Sequence, residues 1–207
     1  MAGAGQKFIH TVDLELSQDA QYKSFSEIPS HALNFGSTIR FLPGVYEVGT
    51  VNADSLTFEG VGNRADVILA NLVLGSATAN TVVFRNLTLN GSNKAAASGS
   101  NSIAITDGAT GTLTFRHVVF SNADFAIDNQ GRANFVELQY CHGKTDRGIR
   151  SNSTASANIW FSVINATSNV YFTTLNNADE RPFRVIASQS PGSNSGNSVK
   201  TVTALLS

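Results

Sequence analysis

Cysteine is nearly absent from this 207-residue sequence, because Cys141 is its only one. A single cysteine excludes an intramolecular disulfide and any metal site built from several thiolates. The chain must therefore gain its stability from packing, and its length is enough for one domain with a continuous core. We expect Cys141 to be a buried, unreactive thiol.

Charged residues are also scarce, at 14% of the chain, and they sum to a net charge of −1. So small a net charge provides no long-range attraction for phosphate backbones or anionic membranes, and we expect neither nucleic acid nor a membrane as a partner. Apolar runs are only a few residues long, whereas a membrane-spanning helix needs about 20. The first seven residues lack the basic and apolar pattern of a secretion signal, which predicts folding in a cytoplasm.

What the sequence does contain is a repeat, in which a phenylalanine is followed three residues later by an aliphatic residue. The units begin at Phe58, Phe84, Phe115, Phe135 and Phe161, in steps of 26, 31, 20 and 26 residues. The units at Phe84 and Phe115 are close copies, since an arginine follows each phenylalanine. Such recurrence indicates stacked structural repeats that share one core.

A second repeat places Ile105, Ile127 and Ile149 at two equal steps of 22 residues. A step near 22 is about one coil of a parallel β-helix, in which three short strands and their turns form one layer. The intervening Asn, Ser, Gly and Thr residues suit tight turns. We therefore predict an all-β fold, a single-stranded right-handed parallel β-helix (a solenoid) of about six coils. An antiparallel sandwich is the alternative, but hairpin strands recur about every 8 to 12 residues.

Three regions follow from the extent of the repeat. Residues 1–37 are predicted to be an N-terminal arm and cap, in which Gln18 to Phe35 could form a short helix. The β-helix is predicted over residues 38–187. Residues 188–207 combine a Ser/Gly-rich linker with an apolar C-terminal segment that docks on the open edge of the solenoid or on a partner.

The passage from residue 38 to residue 62 resembles the opening coils of the pectin-lyase-like β-helix superfamily. The resemblance depends on a Pro-Gly-x-Tyr entry at residues 43–46 and a Gly-x-Gly turn at residues 60–62, and it extends over about residues 21–186. That superfamily includes pectinesterases, polysaccharide lyases and phage tailspikes. It therefore implies a fold much more than an activity.

Pectinesterases provide the sharpest catalytic comparison. Residues 44–48 resemble their Gly-x-Tyr-x-Glu entry with the glutamate one place early, residues 124–128 resemble their nucleophile strand, and residues 181–183 resemble the surroundings of their arginine. The element that supplies their acid/base aspartate has no counterpart near residues 102–105. A nucleophile without its proton donor lacks the cooperating pair that the mechanism needs, so we do not expect esterase activity.

A polysaccharide-lyase interpretation requires stacked carboxylates that bind calcium beside a basic residue. The candidate cluster consists of Asp124, Asp128, Asp146, Arg147, Arg150, His142 and Lys144. The 22-residue step places Thr106, Asp128 and Arg150 in one column, which predicts an ion pair between Asp128 and Arg150 on the solvent face. This structural interpretation is preferred, and no catalytic, cofactor-binding or metal-binding residue is predicted. The four histidines show no metal-ligand spacing, and Tyr140 and Trp160 are interpreted as strand residues.

These features favour a non-enzymatic structural protein of a bacteriophage virion, a capsid decoration, cement or fibre component assembled in the host cytoplasm. The resemblance to β-helical virion proteins implies a homotrimer that contacts the major capsid protein or another virion protein. The alternative is a carbohydrate-active or carbohydrate-binding β-helix that uses the cluster around Asp124 and Arg150 on a polysaccharide.

Overall fold

The computed structural model describes residues 8–33, 36–52, 55–75, 81–91, 101–105, 110–129, 133–151, 156–160, 163–166, 170–174, 181–186, 193–195 and 199–204. Of these, only the backbone is described at residues 101–105, 110, 129, 133–134, 150–151 and from 156 onward.

The strands of the described residues are short and recur along the chain. In chain order they are β1 Ile9–Val12, β2 Thr38–Phe41, β3 Gly44–Glu47, β4 Thr50–Val51, β5 Thr57–Gly60, β6 Val67–Ala70, β7 Leu72–Leu74, β8 Thr81–Arg85, β9 Thr88–Asn90, β10 Asn101–Ile105, β11 Thr110–Arg116, β12 Val119–Ser121, β13 Phe125–Asn129, β14 Ala133–Gln139, β15 His142–Thr145, β16 Arg147–Ser151, β17 Ser156–Trp160, β18 Val163–Ala166, β19 Val170–Thr174, β20 Arg181–Ile186, β21 Ser193–Ser195 and β22 Val199–Ala204.

These strands form three sheets whose paired strands run parallel. Sheet A has the order β1-β2-β5-β8-β11-β14-β17-β20-β22, sheet B has β3-β6-β9-β12-β15-β18, and sheet C has β4-β7-β10-β13-β16-β19-β21. Through most of the chain, successive strands visit sheets A, B and C in turn and then return to sheet A one layer further on. This is the predicted parallel β-helix, and the parallel pairing excludes the antiparallel sandwich.

The core receives side chains from all three sheets, and sheet A contributes a column of large apolar ones. Phe58 pairs with Phe84, which pairs with Phe115, which pairs with Leu138. The ring centroids of Phe58 and Phe84 are 5.0 Å apart and those of Phe84 and Phe115 are 5.1 Å apart, both stacked. All four side chains are fully buried, because adjacent layers lie about 4.8 Å apart and like residues pack on each other.

Phe135 was wrongly predicted to belong to this column. It pairs with Thr112, and the partner of Phe115 is Leu138, three residues further on. Along β14 the buried residues alternate as Val136 and Leu138, so Phe135 lies among the partly exposed ones. The buried positions of β14 are those that lie two and four residues before the left-handed turn residue Tyr140. Phe161 lies outside the described residues.

The 22-residue step is correct for one pair of coils and wrong for the one before it. Ile127 pairs with Ile149 as predicted. Its other neighbour is Ile103, and Ile105 pairs with Asn129 instead. The coil between these strands contains 24 residues, because its turns are longer.

The corner between sheets A and B is a tight turn that recurs from coil to coil. Asn86, His117 and Tyr140 each adopt a left-handed conformation there, with φ of 54° in all three. Gly60 precedes Asn86 in this column, and a Cβ at Gly60 would lie 2.1 Å from the Asn86 carbonyl oxygen. Tyr140 thus lies in a turn and not in a strand, which corrects the prediction. Cys141 follows it and is buried as predicted.

The N-terminal end has no α-helix among its described residues, contrary to the helix predicted over Gln18 to Phe35. It contains two 3-10 turns, Phe25–Glu27 and Ser30–Ala32. Ile28 between them is extended, with ψ of 118°, because the following Pro29 disfavours helical geometry in the residue before it. No helix of the described residues has the length and hydropathy needed to cross a bilayer.

The ladders continue beyond residues 38–187. β1 pairs with β2 at the N-terminal end, and β22 pairs with β20 at the C-terminal end, both in parallel. The apolar C-terminal segment therefore adds a strand to its own solenoid.

Candidate functional site

The centre of the predicted charged cluster is an ion pair between neighbouring coils. The Arg147 Nε donates to Asp124 Oδ1 at 2.8 Å, and its Nη2 donates to Oδ2 at 2.5 Å. The guanidinium carbon also lies 4.1 Å from the centre of the Phe125 ring. A bidentate contact of this kind fixes the orientation of both side chains, and the Phe125 ring adds a cation–π attraction.

The backbone holds this pair in place. Asp146 N donates to Ala123 O at 2.9 Å and Arg147 N donates to Asp124 O at 2.6 Å, so the turns before β13 and β16 stack on each other. The Asp146 carboxylate lies 3.9 Å from Arg147 Nε and is the more exposed of the two acids. Of the predicted cluster, these contacts join Asp124, Asp146 and Arg147.

Asp128 and Arg150 occupy paired positions on β13 and β16, as predicted. The third member of their column is Ala104 and not Thr106, because of the longer coil before β13. Asp128 is 2% exposed, so it does not lie on the solvent face, which corrects that part of the prediction. The Arg150 side chain lies outside the described residues, and their ion pair stays a prediction.

His142 and Lys144 lie on β15 in sheet B, and His142 belongs to a different group from the acidic cluster. Its Nε2 contacts Nη2 of Arg64, which reaches it from the loop before β6. The pKa of His142 is lowered, first by its partial burial, then by the charge of Arg64 and by His117. The contact needs an unprotonated Nε2, since a guanidinium can only donate.

The described residues contain no group of three or more His, Cys, Asp and Glu side chains close enough to hold a metal ion. His10 contacts the Ala32 carbonyl oxygen at 3.0 Å, whereas His117 stacks on Tyr140.

Sequence reasoning missed a row of arginines along the edge where sheets A and B meet. Arg40, Glu59, Arg85 and Arg116 occupy one column of sheet A. Arg40 Nε and Arg85 Nη2 each lie 3.1 Å from Oε2 of Glu59. Arg116 is exposed and forms no salt bridge within the described part of the chain. The near-identical units at Phe84 and Phe115 were the sequence feature that indicated this row, because each places an arginine just before the turn.

Beside this row, the rings of His117 and Tyr140 stack with centroids 5.1 Å apart and an interplanar angle of 6°. Both residues are exposed. We call Arg64, Arg85, Arg116, His117 and Tyr140 the basic corner. The basic corner brings three arginines and two aromatic rings together on a chain whose net charge is −1.

A second unpredicted feature is an acidic protrusion at the N-terminal end, residues 14–19, which we call the acidic knob. Its sequence is Leu-Glu-Leu-Ser-Gln-Asp, and every residue is exposed. Asp13 organises it by accepting the Glu15 and Ser17 N–H groups at 3.2 and 3.0 Å. The pKa of Asp13 is lowered, first by the Ser17 hydroxyl and then by these N–H groups, so the carboxylate stays charged.

Comparisons with known proteins find no protein family and no curated sequence that matches this chain. Among solved structures, pectin methylesterase from carrot is similar, with a TM-score of 0.48 and 10% sequence identity, over 98% of this chain and 79% of that one. A likeness at that level assigns no activity. The fold class follows from the strand pairing itself.

Proposed function

We propose that this chain is a non-enzymatic structural protein of a bacteriophage virion, a decoration, cement or fibre component that acts through protein–protein contacts. The observation that carries the proposal is the hydrogen bonding of the Asp124 carboxylate. Its position is the one that resembles the pectinesterase nucleophile, yet both of its oxygens accept N–H groups of Arg147. A carboxylate engaged in this way braces adjacent coils and has little capacity left to attack a substrate.

The surface supports the same proposal. A rod of stacked coils with few charges offers long, regular faces for contact with repeated protein surfaces. The proposed partner is the major capsid protein or another virion protein.

Mass spectrometry of purified phage particles, from a genome that encodes this chain, tests the proposal. We expect its peptides at a fixed ratio to those of the major capsid protein. Particles that lack the chain while infected cells contain it would contradict the proposal.

A carbohydrate-active or carbohydrate-binding β-helix is the second candidate. The exposed Tyr140 ring one layer from Arg116 favours it, because aromatic surfaces and arginines together suit acidic sugars. Product release from a panel of pectins and capsular polysaccharides separates the two candidates. Turnover that is lost in Asp128→Ala and in the isosteric Asp128→Asn, with folding retained, would replace the structural proposal with the enzymatic one.

A further inference from the structure

The acidic knob is a hydrogen-bonded loop whose apolar residues face solvent. Leu16 N donates to Asp13 O at 3.1 Å and Ala20 N donates to Ser17 O at 2.9 Å, so two consecutive turns define its shape. Leu14 and Leu16 are 47% and 45% exposed. A loop ordered by its own hydrogen bonds thus presents two exposed leucines together with the exposed Glu15 and Asp19.

Leu16 also adopts a left-handed conformation, with φ of 50°. That conformation costs a non-glycine residue about 1 to 2 kcal/mol. The turn thus holds an apolar side chain at the surface and not in the core, where a partner can cover it.

The knob and the basic corner lie on the same edge of the rod. Leu14 packs over Gly44, the first residue of β3, which places the knob at the corner between sheets A and B. Along this edge, Arg116 lies four layers beyond β1, a distance of about 19 Å at the usual spacing of strands. The edge thus carries the exposed Glu15 and Asp19 at its N-terminal end and the exposed Arg116 in its middle, while Arg40, Glu59 and Arg85 between them are joined by salt bridges.

An edge with this order of charges repels a parallel copy of itself and attracts a reversed one. We propose that two copies of this chain associate antiparallel along the edge, so that the acidic knob of each copy contacts the basic corner of the other. Such an interface is isologous, since the same two patches meet twice around a two-fold axis.

The chemistry of the two patches is complementary beyond their charge. Glu15 and Asp19 face the unpaired cation of Arg116, and Leu14 and Leu16 gain cover from the exposed Tyr140 ring. Burial of the leucines contributes to affinity, whereas the charges set the orientation and the dependence on salt. This proposal deepens the proposed function and rests on it only in assuming that the chain acts through protein–protein contacts.

Sedimentation velocity on the full chain, over a range of concentrations, tests the proposal. We expect a dimer at about 0.01 M salt that dissociates at about 1 M, where the Debye length falls from about 30 Å to about 3 Å. The knob variant Glu15→Lys/Asp19→Lys and the corner variant Arg116→Glu each place like charges together. Each variant should therefore bind itself less tightly, with a dimer dissociation constant raised by at least about tenfold.

Mixing the two variants supplies the decisive result. A knob-reversed chain and a corner-reversed chain are complementary at both contacts, so their equimolar mixture should form dimers that neither forms alone. Lys144→Glu is the matched control, because it makes the same change of charge on the face of sheet B and should leave the dimer intact. Circular dichroism melting curves confirm that each variant is folded.

Several outcomes overturn the inference. These are a monomer at every concentration in low salt, a trimer as the superfamily resemblance implies, a dimer indifferent to the reversals, and a mixture that fails to associate. Saturable binding of polygalacturonate to a monomer through Arg116 would assign the corner to an acidic sugar instead. A failed dimer leaves the particle experiment unaffected, and absence from particles leaves the dimer unaffected.

Discussion

The ion pair of Asp124 and Arg147 is the residue-scale feature whose energy we expect to be measurable. The Asp124 side chain is only 13% exposed, and Arg147 is 35% exposed. Asp124→Ala leaves a partly buried guanidinium without its partner, so we expect a loss of about 1 to 3 kcal/mol in the free energy of unfolding. Asp146→Ala removes a more exposed carboxylate at 3.9 Å, and it should cost less than about 1 kcal/mol. Urea unfolding of both variants checks this, and equal losses would contradict the account.

His142 makes the stability of the chain depend on pH. Its pKa in the folded chain lies below the ordinary value of 6.5, first because of burial and then because of Arg64. The unfolded chain therefore takes up this proton before the folded chain does, and stability falls as the pH drops through about 6.5. His142→Gln should flatten this part of the profile of unfolding free energy against pH. Identical slopes for wild type and His142→Gln would refute the prediction.

At the scale of elements, the alignment of β14 with β11 determines which side chain of β14 enters the core. Leu138 is fully buried in the phenylalanine column, whereas Phe135 is partly exposed. We expect Leu138→Ala to cost about 2 to 5 kcal/mol and Phe135→Ala less than about 1.5 kcal/mol, although phenylalanine is the larger side chain. Thermal and urea unfolding measure both. A larger loss for Phe135→Ala would restore the register expected from the phenylalanine spacing.

The stability of the turn after β8 should depend on the side chain of Asn86. The Asn86 Nδ2 donates to Gly60 O at 2.8 Å and to Gly62 O at 2.9 Å, and its backbone is left-handed. Asn86→Ala loses both hydrogen bonds and the tolerance of asparagine for that conformation, so we expect a loss of about 1 to 3 kcal/mol. Asn63→Ala, in the loop between β5 and β6 that contains the Gly62 acceptor, is the comparison. Equal stability of the two variants would show that the turn is not held by Asn86.

The sequence predicted the parallel β-helix and the stack of Phe84 on Phe115, because side chains that recur once per coil must share one core. It could not predict that Leu138 replaces Phe135, since the register depends on where the left-handed turn residue falls and His117 and Tyr140 carry no turn signature. The contact of Asp124 with Arg147 joins residues of the predicted cluster. The basic corner was missed because its residues come from four coils.

At the scale of the whole molecule, the fold is defined by the parallel stacking of its coils, which puts Arg85 directly beside Arg116. Cysteines at these two exposed positions, in a Cys141→Ser background, test it by peptide mapping after mild oxidation. Neighbours on adjacent parallel strands lie about 4.8 Å apart, within the range that a disulfide spans. Parallel stacking predicts an intramolecular disulfide for Arg85→Cys/Arg116→Cys and none for Glu59→Cys/Arg116→Cys, whose positions are two layers apart. A disulfide in the second variant and not in the first would contradict it.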